Sequence, residues 1–481
     1  MSSTFLWNNI PSVVLFNVYS NLSPNERILA SSTCKAWREA LYHSSVWPSN
    51  RLTLNLTKKT NAKKSDSKRN KTASYQQFLQ KCYRFLQNVE IIFELHSSSQ
   101  FNELLNIIRI MYDSAMDHKS LTSFSLKPIH VQVSANRSAN DVMLLENAMK
   151  RFIGRHCNLK HLSLGCLEQM LNCTPSLLSI MAQRNNTSLQ SLHLLTVKED
   201  PDYYPVPDIP AHLFEPFVNL KVLSIDYDFM SDDLLSILAV KPLEKLIINV
   251  HGLDDEHPGV SKSAWSKLKW KQKLEVTLNL LHTDDSPDGL REMILETDIP
   301  LSHFRAFFLG YNTGIAELIK VVAIKHQNTL RSLVLLNSLA ESTFFPNTCF
   351  SRATENELVM LAWRCKKLQH LTVIGYEISE VDLIAITRLR GYQLKELLIP
   401  SCCILLSQSP IIEDEGYYDD DRFYLDMADV RFRNQVISDI AKPLNRDWIP
   451  MTFDEIPKSV YDPHHSPDSA YLPTLHRDTS C

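Results

Sequence analysis

Three groups of residues have types and spacing that could do chemistry. His156, Cys157 and His161 lie close together in sequence, and imidazole with thiolate is a common zinc ligand set. They straddle an apolar word, Leu159-x-x-Leu162-x-Leu164, so the two histidines fall in different local contexts, and surface or hydrogen-bonded histidines are the expectation. Cys402 and Cys403 are adjacent thiols, but the 10 cysteines are scattered and no Cys-x-x-Cys occurs, which leaves zinc ribbons and thioredoxin-like sites unspelled and predicts reduced thiols. The third group is basic: Lys58-Lys59, Lys63-Lys64, Lys68-Arg69 and Lys71, interleaved with Ser and Asn. Such a run cannot form a core; it predicts a mobile loop, with an import signal or an RNA contact as its other uses. No aromatic residue is interleaved before Tyr75, so it offers no stacking platform for a single strand, and nucleic acid is not an expected partner.

Catalytic motifs are missing. The sequence holds no G-x-x-x-x-G-K-[ST], no H-E-x-x-H and no G-x-S-x-G, which encode geometries for phosphate, zinc and a nucleophilic serine. Glycine numbers 10 in 481 residues, about 2% against a usual ~7%, which argues against folds rich in phosphate-cradling turns. No catalytic residue, metal or cofactor is expected. With 44% apolar residues, 22% charged residues and a net charge of -4, the composition is that of a globular chain able to bury a sizeable core. No run approaches the ~20 apolar residues of a bilayer span, and Val13-Val14-Leu15-Phe16 lacks a basic leader, so a cytoplasmic or nuclear location is expected.

The elements that must position any function begin with helices. Ile10, Val14, Leu15, Val18, Tyr19 and Leu22 recur at helical spacing, and Ser23-Pro24-Asn25-Glu26 reads as a capping box opening a second helix. That helix carries Ile28, Leu29, Cys34, Trp37 and Leu41, and Trp47-Pro48 stops it. About fifty residues in short helices bury too little alone and need a neighbour.

Ile10-Pro11, Val14-Leu15, Val18, Leu22, Pro24, Glu26, Cys34-Lys35-Ala36-Trp37-Arg38, Leu41 and Trp47 run without gaps through a pattern that resembles the F-box. Ile10 stands where Leu is usual, and Val13 replaces the common acidic residue after the proline. The resemblance implies a helical module that binds a Skp-type adaptor and, through it, a cullin-RING scaffold. It carries the adaptor contacts to Ile10, Pro11, Leu15, Val18, Leu22, Cys34, Lys35 and Trp37.

From about residue 85 a word with apolar first, fourth and sixth places recurs. It is seen at Leu121, Leu159, Leu189, Leu220, Leu243, Phe304, Leu330, Leu368 and Leu394, nine copies at intervals of roughly 23 to 38 residues. Helical spacing over 232–239, 355–363 and 380–389 supplies crossovers between parallel strands. Leu274, Val276, Leu278 and Leu280 alternate strictly and predict a shifted strand. The expected fold is α/β: an N-terminal helical F-box followed by an irregular leucine-rich-repeat solenoid, a horseshoe, with a C-terminal helix and tail. The expected divisions are 1–50 F-box, 51–84 linker with the basic loop, 85–404 degenerate repeats, and 405–481 acidic loop, helix and Pro/His-rich tail.

An F-box ahead of such repeats resembles the substrate receptors of cullin-based ubiquitin ligases. That resemblance implies a non-catalytic subunit carrying a protein substrate for ubiquitination and proteasomal degradation; the alternative is a leucine-rich-repeat scaffold outside ubiquitination. The fifth place of each word should face away from the helices: Ser163, His193, Ser224, Ile247, Phe308, Val334, Thr372 and Leu398. Ile247, Phe308, Val334 and Leu398 make an apolar stripe, either a target site or a surface covered by the chain's own tail. Glu413-Asp414-Glu415 and Asp419-Asp420-Asp421 read as a solvated loop, and residues 427–441 as a helix that could do the covering.

Overall fold

The computed structural model describes residues 10–22, 24–47, 51–57, 78–114, 120–131, 139–200, 204, 206–254, 257–268, 271, 273–339, 350, 356–406 and 430–480. Ser23 of the expected capping box, the basic run 58–71 and the acidic run 413–421 lie outside these residues.

Three short helices open the chain: α1 (Ser12–Ser20), α2 (Pro24–Ala30) and α3 (Lys35–Leu41). Pro11 precedes the first helical position of α1, where a residue without an N–H costs nothing. The trio is tied by polar stitches as well as by apolar burial. Tyr19 is fully buried and donates to the Trp37 carbonyl at 2.8 Å, and Arg27 Nε donates to the Tyr19 carbonyl at 2.9 Å with its guanidinium over the Trp47 ring. Trp47 donates to the Leu41 carbonyl at 2.9 Å and packs on Phe78, which joins the trio to the body in one continuous core.

The body is built on a parallel sheet of twelve strands whose spatial order is their chain order, with a small two-stranded parallel sheet, Ile378–Ser379 beside Ile404–Leu405, near its end. The twelve are β1 (Arg51–Asn55), β2 (Asn88–Phe93), β3 (Ser123–Pro128), β4 (His161–Ser163), β5 (Ser191–His193), β6 (Val222–Asp226), β7 (Lys245–Val250), β8 (Glu275–Leu281), β9 (Leu301–Phe307), β10 (Ser332–Leu336), β11 (His370–Ile374) and β12 (Glu396–Leu398). An order that never reverses, with crossovers of one hand, puts every crossover helix on one face. Consecutive helices such as Ile315–Lys325, Glu357–Arg364 and Glu380–Arg390 pack side by side there. The fourth and sixth places, among them Leu223 and Ile225, Leu246 and Ile248, and Leu333 and Leu335, are fully buried beneath this layer. At about 2 kcal/mol for each leucine taken from water, this stack is the main source of stability.

Several places differ from the sequence reading. The sheet starts at Arg51, inside the expected linker, because Leu52 and Leu54 alternate with polar residues and pair with Val89 and Ile91 of β2. The predicted shifted strand is β8, with a register irregularity at Val276/Thr277 where β9 joins it. In β9 Leu301, Phe304 and Ala306 take the core places, and Arg305 pairs with Val334. The word is therefore Leu301-x-x-Phe304-x-Ala306, three residues earlier than expected; Ala306 supplied too little apolarity to mark it.

Several of the crossover helices begin on side-chain caps. Ser231, Ser261, Asn356 and Ser379 each accept a hydrogen bond from a backbone N–H in the first turn that follows. Ser379 also donates to the Asp382 carboxylate at 2.7 Å. Ser379→Ala is expected to destabilise the protein by about 1 kcal/mol, read as a lower urea midpoint at unchanged slope.

Candidate functional site

Two surfaces follow from this fold. On the first, the helix trio, the expected adaptor contacts divide by depth. Leu15 is sealed, 2% exposed, whereas Ile10, Val18, Leu22, Cys34 and Trp37 are half-buried and Pro11 and Lys35 are exposed. Tyr19 and Leu15 point inward together, four residues apart, which turns the other side of α1 to solvent. There Val13 is 68% exposed and Val14 47%, and Leu29 on α2 is 70% exposed. Isolated exposed aliphatics are ordinary, but three on one module of three short helices, with Ile10, Val18 and Leu22 only half-buried, are many for so small a unit. The sequence reading missed Val13 and Leu29 as outward groups, because helical periodicity alone does not say which arc a neighbouring tryptophan will cover.

The second surface is the sheet face opposite the helices. Cross-strand register lines up Glu90, Ser125, Ser163, His193, Ser224, Ile247 and Thr277 in one row, with Asp226, Asn249, Asn279, Arg305, Val334, Thr372 and Leu398 in the next on the same face. Of the expected apolar stripe, Ile247 is fully buried and Val334 and Leu398 are half-buried. Phe308 does not belong to the row: it follows the end of β9 with a positive φ of 52° and stacks on His282, because the word there is shifted. Most of the face is polar and already covered.

The cover is a helix near the end of the sequence, Asp468–Asp478. Asp468, Tyr471, Leu475 and Asp478 fall at i, i+3, i+7 and i+10, one stripe of a helix, and that stripe meets the sheet. Asp478 pairs with Arg305 and, at 3.4 Å, with Lys245; Ser480 accepts from Lys127 at 2.9 Å; Asp468 accepts from the Val131 N–H at 2.8 Å and sits 3.2 Å from His130 Nδ1. Tyr471 is fully buried against Phe307, its hydroxyl 2.9 Å from His282 Nε2. Burial works against ionising Asp478, but Arg305 and Lys245 outweigh it and hold the carboxyl below its usual range; at Asp468 the hydrogen bonds of His130 and Val131 do the same. The helix expected to cover the face spans Val430–Leu444 and packs instead on Glu380–Arg390, continuing the helix layer.

The residues first picked for metal chemistry are not brought together. His156 bonds Tyr83 Oη and the Phe152 carbonyl, His161 bonds Ser125 at 3.1 Å, and Cys157 is exposed. Among the described residues, Asp226, Asp228 and His251 have ligand atoms within 4.8 Å of one another. Lys198, wholly buried, sets its ammonium 3.5 Å from Asp226 and over the Tyr204 ring, so this cluster already holds a cation of its own. Burial still pushes both carboxyls up, Asp226 and Asp228 each to about 6.

A small helical module with exposed aliphatic side chains is fused to a parallel sheet built on a repeated leucine-rich word, an arrangement similar to that of F-box proteins with leucine-rich repeats. Residues 7–52 match the F-box-like family. F-box only protein 33 of Mus musculus is 24% identical over 469 residues, covering 85% of this chain and 78% of its own. The Homo sapiens protein of the same name is 24% identical over 459 residues, and F-box/LRR-repeat protein 21 of Mus musculus is 23% identical over 455 residues, 92% of this chain and 89% of that protein. Among solved structures, one titled as a crystal structure of a TLR13-ssRNA13 complex aligns with 69% of this chain and 47% of its own at 13% identity and a TM-score of 0.30. The chain is thus related along most of its length to F-box proteins, at low identity. No helix among the described residues is long and apolar enough to cross a membrane.

Proposed function

We propose that this chain is the substrate-recognition subunit of a Skp-cullin-F-box E3 ubiquitin ligase. The helix trio binds a Skp-type adaptor, which brings a cullin-RING scaffold, and the repeats carry a protein target for ubiquitination and proteasomal degradation. The observation that carries this reading is the F-box-like segment on which Val13, Val14 and Leu29 are exposed, while Ile10, Leu22 and Trp37 pack on the core and remain only half-buried. Pro11, Cys34 and Lys35 stand with them as adaptor contacts, while Leu15 acts from within by holding α1 in place.

The chain supplies no general base and no nucleophile in this role. Its contribution is positional: it raises the effective concentration of a target lysine near a charged conjugating enzyme, and a continuous core from Trp47 through Phe78 into the sheet keeps the two ends at a fixed separation. Wild-type protein is expected to retain purified Skp-type adaptor in a pull-down. Val13→Asp/Val14→Asp should weaken that binding at least tenfold with an unfolding free energy within about 0.5 kcal/mol of wild type, since both side chains are surface groups. Failure of the wild type to bind would end the reading. Failure of a cullin to co-purify with an adaptor-bound chain would favour a scaffold outside ubiquitination.

A further inference from the structure

The helix Asp468–Asp478 has the properties of a bound peptide. Its sheet-facing stripe, Asp468-x-x-Tyr471-Leu472-x-x-Leu475-x-x-Asp478, inserts an aromatic and two leucines and places a carboxylate at each end. The sheet answers each feature: Arg305 and Lys245 at one carboxylate, the Val131 N–H and His130 at the other, and Phe307 with His282 around the ring. This is helix-in-groove recognition, read through anchors at successive turns.

The seat is also incomplete. Thr277 Oγ1 and Arg305 Nε on the sheet face, and His476 Nδ1 on the helix, are buried without a hydrogen-bond partner. Each such group costs about 1–3 kcal/mol relative to a satisfied one. Pro473 stands inside the helix, where it removes a backbone bond and lowers the helix's own stability by about 3 kcal/mol relative to alanine. The sheet, by contrast, has its own ladders on both sides of every strand from β2 to β11 and its own helix layer, so its strands are held together without the helix, whose Tyr471, Leu472 and Leu475 add to the core from the open face.

We propose that the open sheet face is the partner-binding surface and that helix Asp468–Asp478 occupies it as a displaceable stand-in for a partner segment of like chemistry. That segment is a helical peptide carrying an aromatic side chain and, two turns later, a carboxylate, flanked by aliphatic residues. This deepens the reading above, on which it rests, by naming the chemistry of the target. Target binding then requires the helix to leave, so the two compete for Arg305, Lys245 and the Phe307 pocket.

Hydrogen exchange on the intact wild-type chain tests displacement directly. Amides of 471–478 are expected to exchange at least tenfold faster than those of β6–β9; equal protection would overturn the proposal, because the helix would then leave only with global unfolding. The second arm titrates a fluorescent peptide of residues 462–480 into the full chain. Tyr471→Ala/Asp478→Asn should bind it at least tenfold tighter than wild type, and a peptide carrying Asp478→Lys should not bind. A double variant that keeps wild-type adaptor binding yet takes the peptide no better than wild type would also overturn it. Adaptor binding, read in parallel, belongs to the helix trio, so its absence in the wild type sinks the ligase reading and leaves the peptide result to stand by itself.

Discussion

Acidification from pH 7 to pH 4.5 is expected to unfold the protein, with a midpoint near pH 5. Seven histidines are held neutral in the fold. Burial pushes His156, His161, His303, His326 and His476 each down to about 4 and His193 and His251 well below their usual range. His161 and His193 lie with ring centroids 4.9 Å apart, so protonating one raises the cost of protonating the other. An unfolded chain binds these protons near pH 6.5 and the folded chain does not, so the stability they lend is whole above pH 6.5 and lost as pH falls toward 4. Each of the first five costs about 2 kcal/mol at pH 5.

Other groups work the opposite way. Asp226 and Asp228, raised to about 6, take up protons in the folded state before they would in the unfolded one, and return about 1 kcal/mol each at pH 5. His130, raised by its hydrogen bond to Asp468, likewise favours the fold on the acid side. The histidines outweigh these and approach the whole ~5–15 kcal/mol of a typical domain. Tryptophan fluorescence followed from pH 7 to pH 4 reads the outcome; a folded signal that persists to pH 4 would contradict it.

How much was legible in the sequence depended on whether one element's pattern decided the matter. The helices 232–239, 357–364 and 380–390 were readable because a Ser or Asn sets the start and apolar residues recur at helical spacing. The strands were readable wherever leucine filled all three word places, and slipped at β9, where Ala306 fills the sixth. What covers the open face was not decided by periodicity, because the choice between two tail segments is made by distant partners. Lys245 and Arg305 are more than 170 positions from Asp478, and nothing local to either marks the pairing. Pro473 also disguised the covering helix, since a proline at its centre reads as a break. In the helix trio the family pattern located the module, but Tyr19 and Arg27, which stitch it, are ordinary residues in sequence and become structural only when Trp37 and Trp47 arrive.

Gly375→Ala is expected to destabilise the protein by at least about 3 kcal/mol, against a gain of about 0.5–1 kcal/mol for Gly154→Ala. Gly375 follows β11 with a φ of +81°, a region L side chains reach only at a cost of about 1–2 kcal/mol. A methyl group there would meet the Asn337 carbonyl oxygen at 2.1 Å and its carbon at 2.6 Å, and backbone cannot swing aside as a side chain can. Relief requires the ends of β10 and β11 to part, which breaks the bond from the Asn337 N–H to the Ile374 carbonyl, 3.0 Å, and pulls Asn337 from Tyr376, 3.1 Å. Gly154 lies inside the helix Ala139–Arg155, where an added methyl meets only Ile180 at an ordinary 3.7 Å and lowers the entropy of the unfolded chain. Urea midpoints for the pair separate a steric requirement from a general sensitivity to alanine. Equal midpoints would mean that strands β10 and β11 yield at their ends, and a solenoid that yields there could not hold a target at a fixed distance from its helix trio.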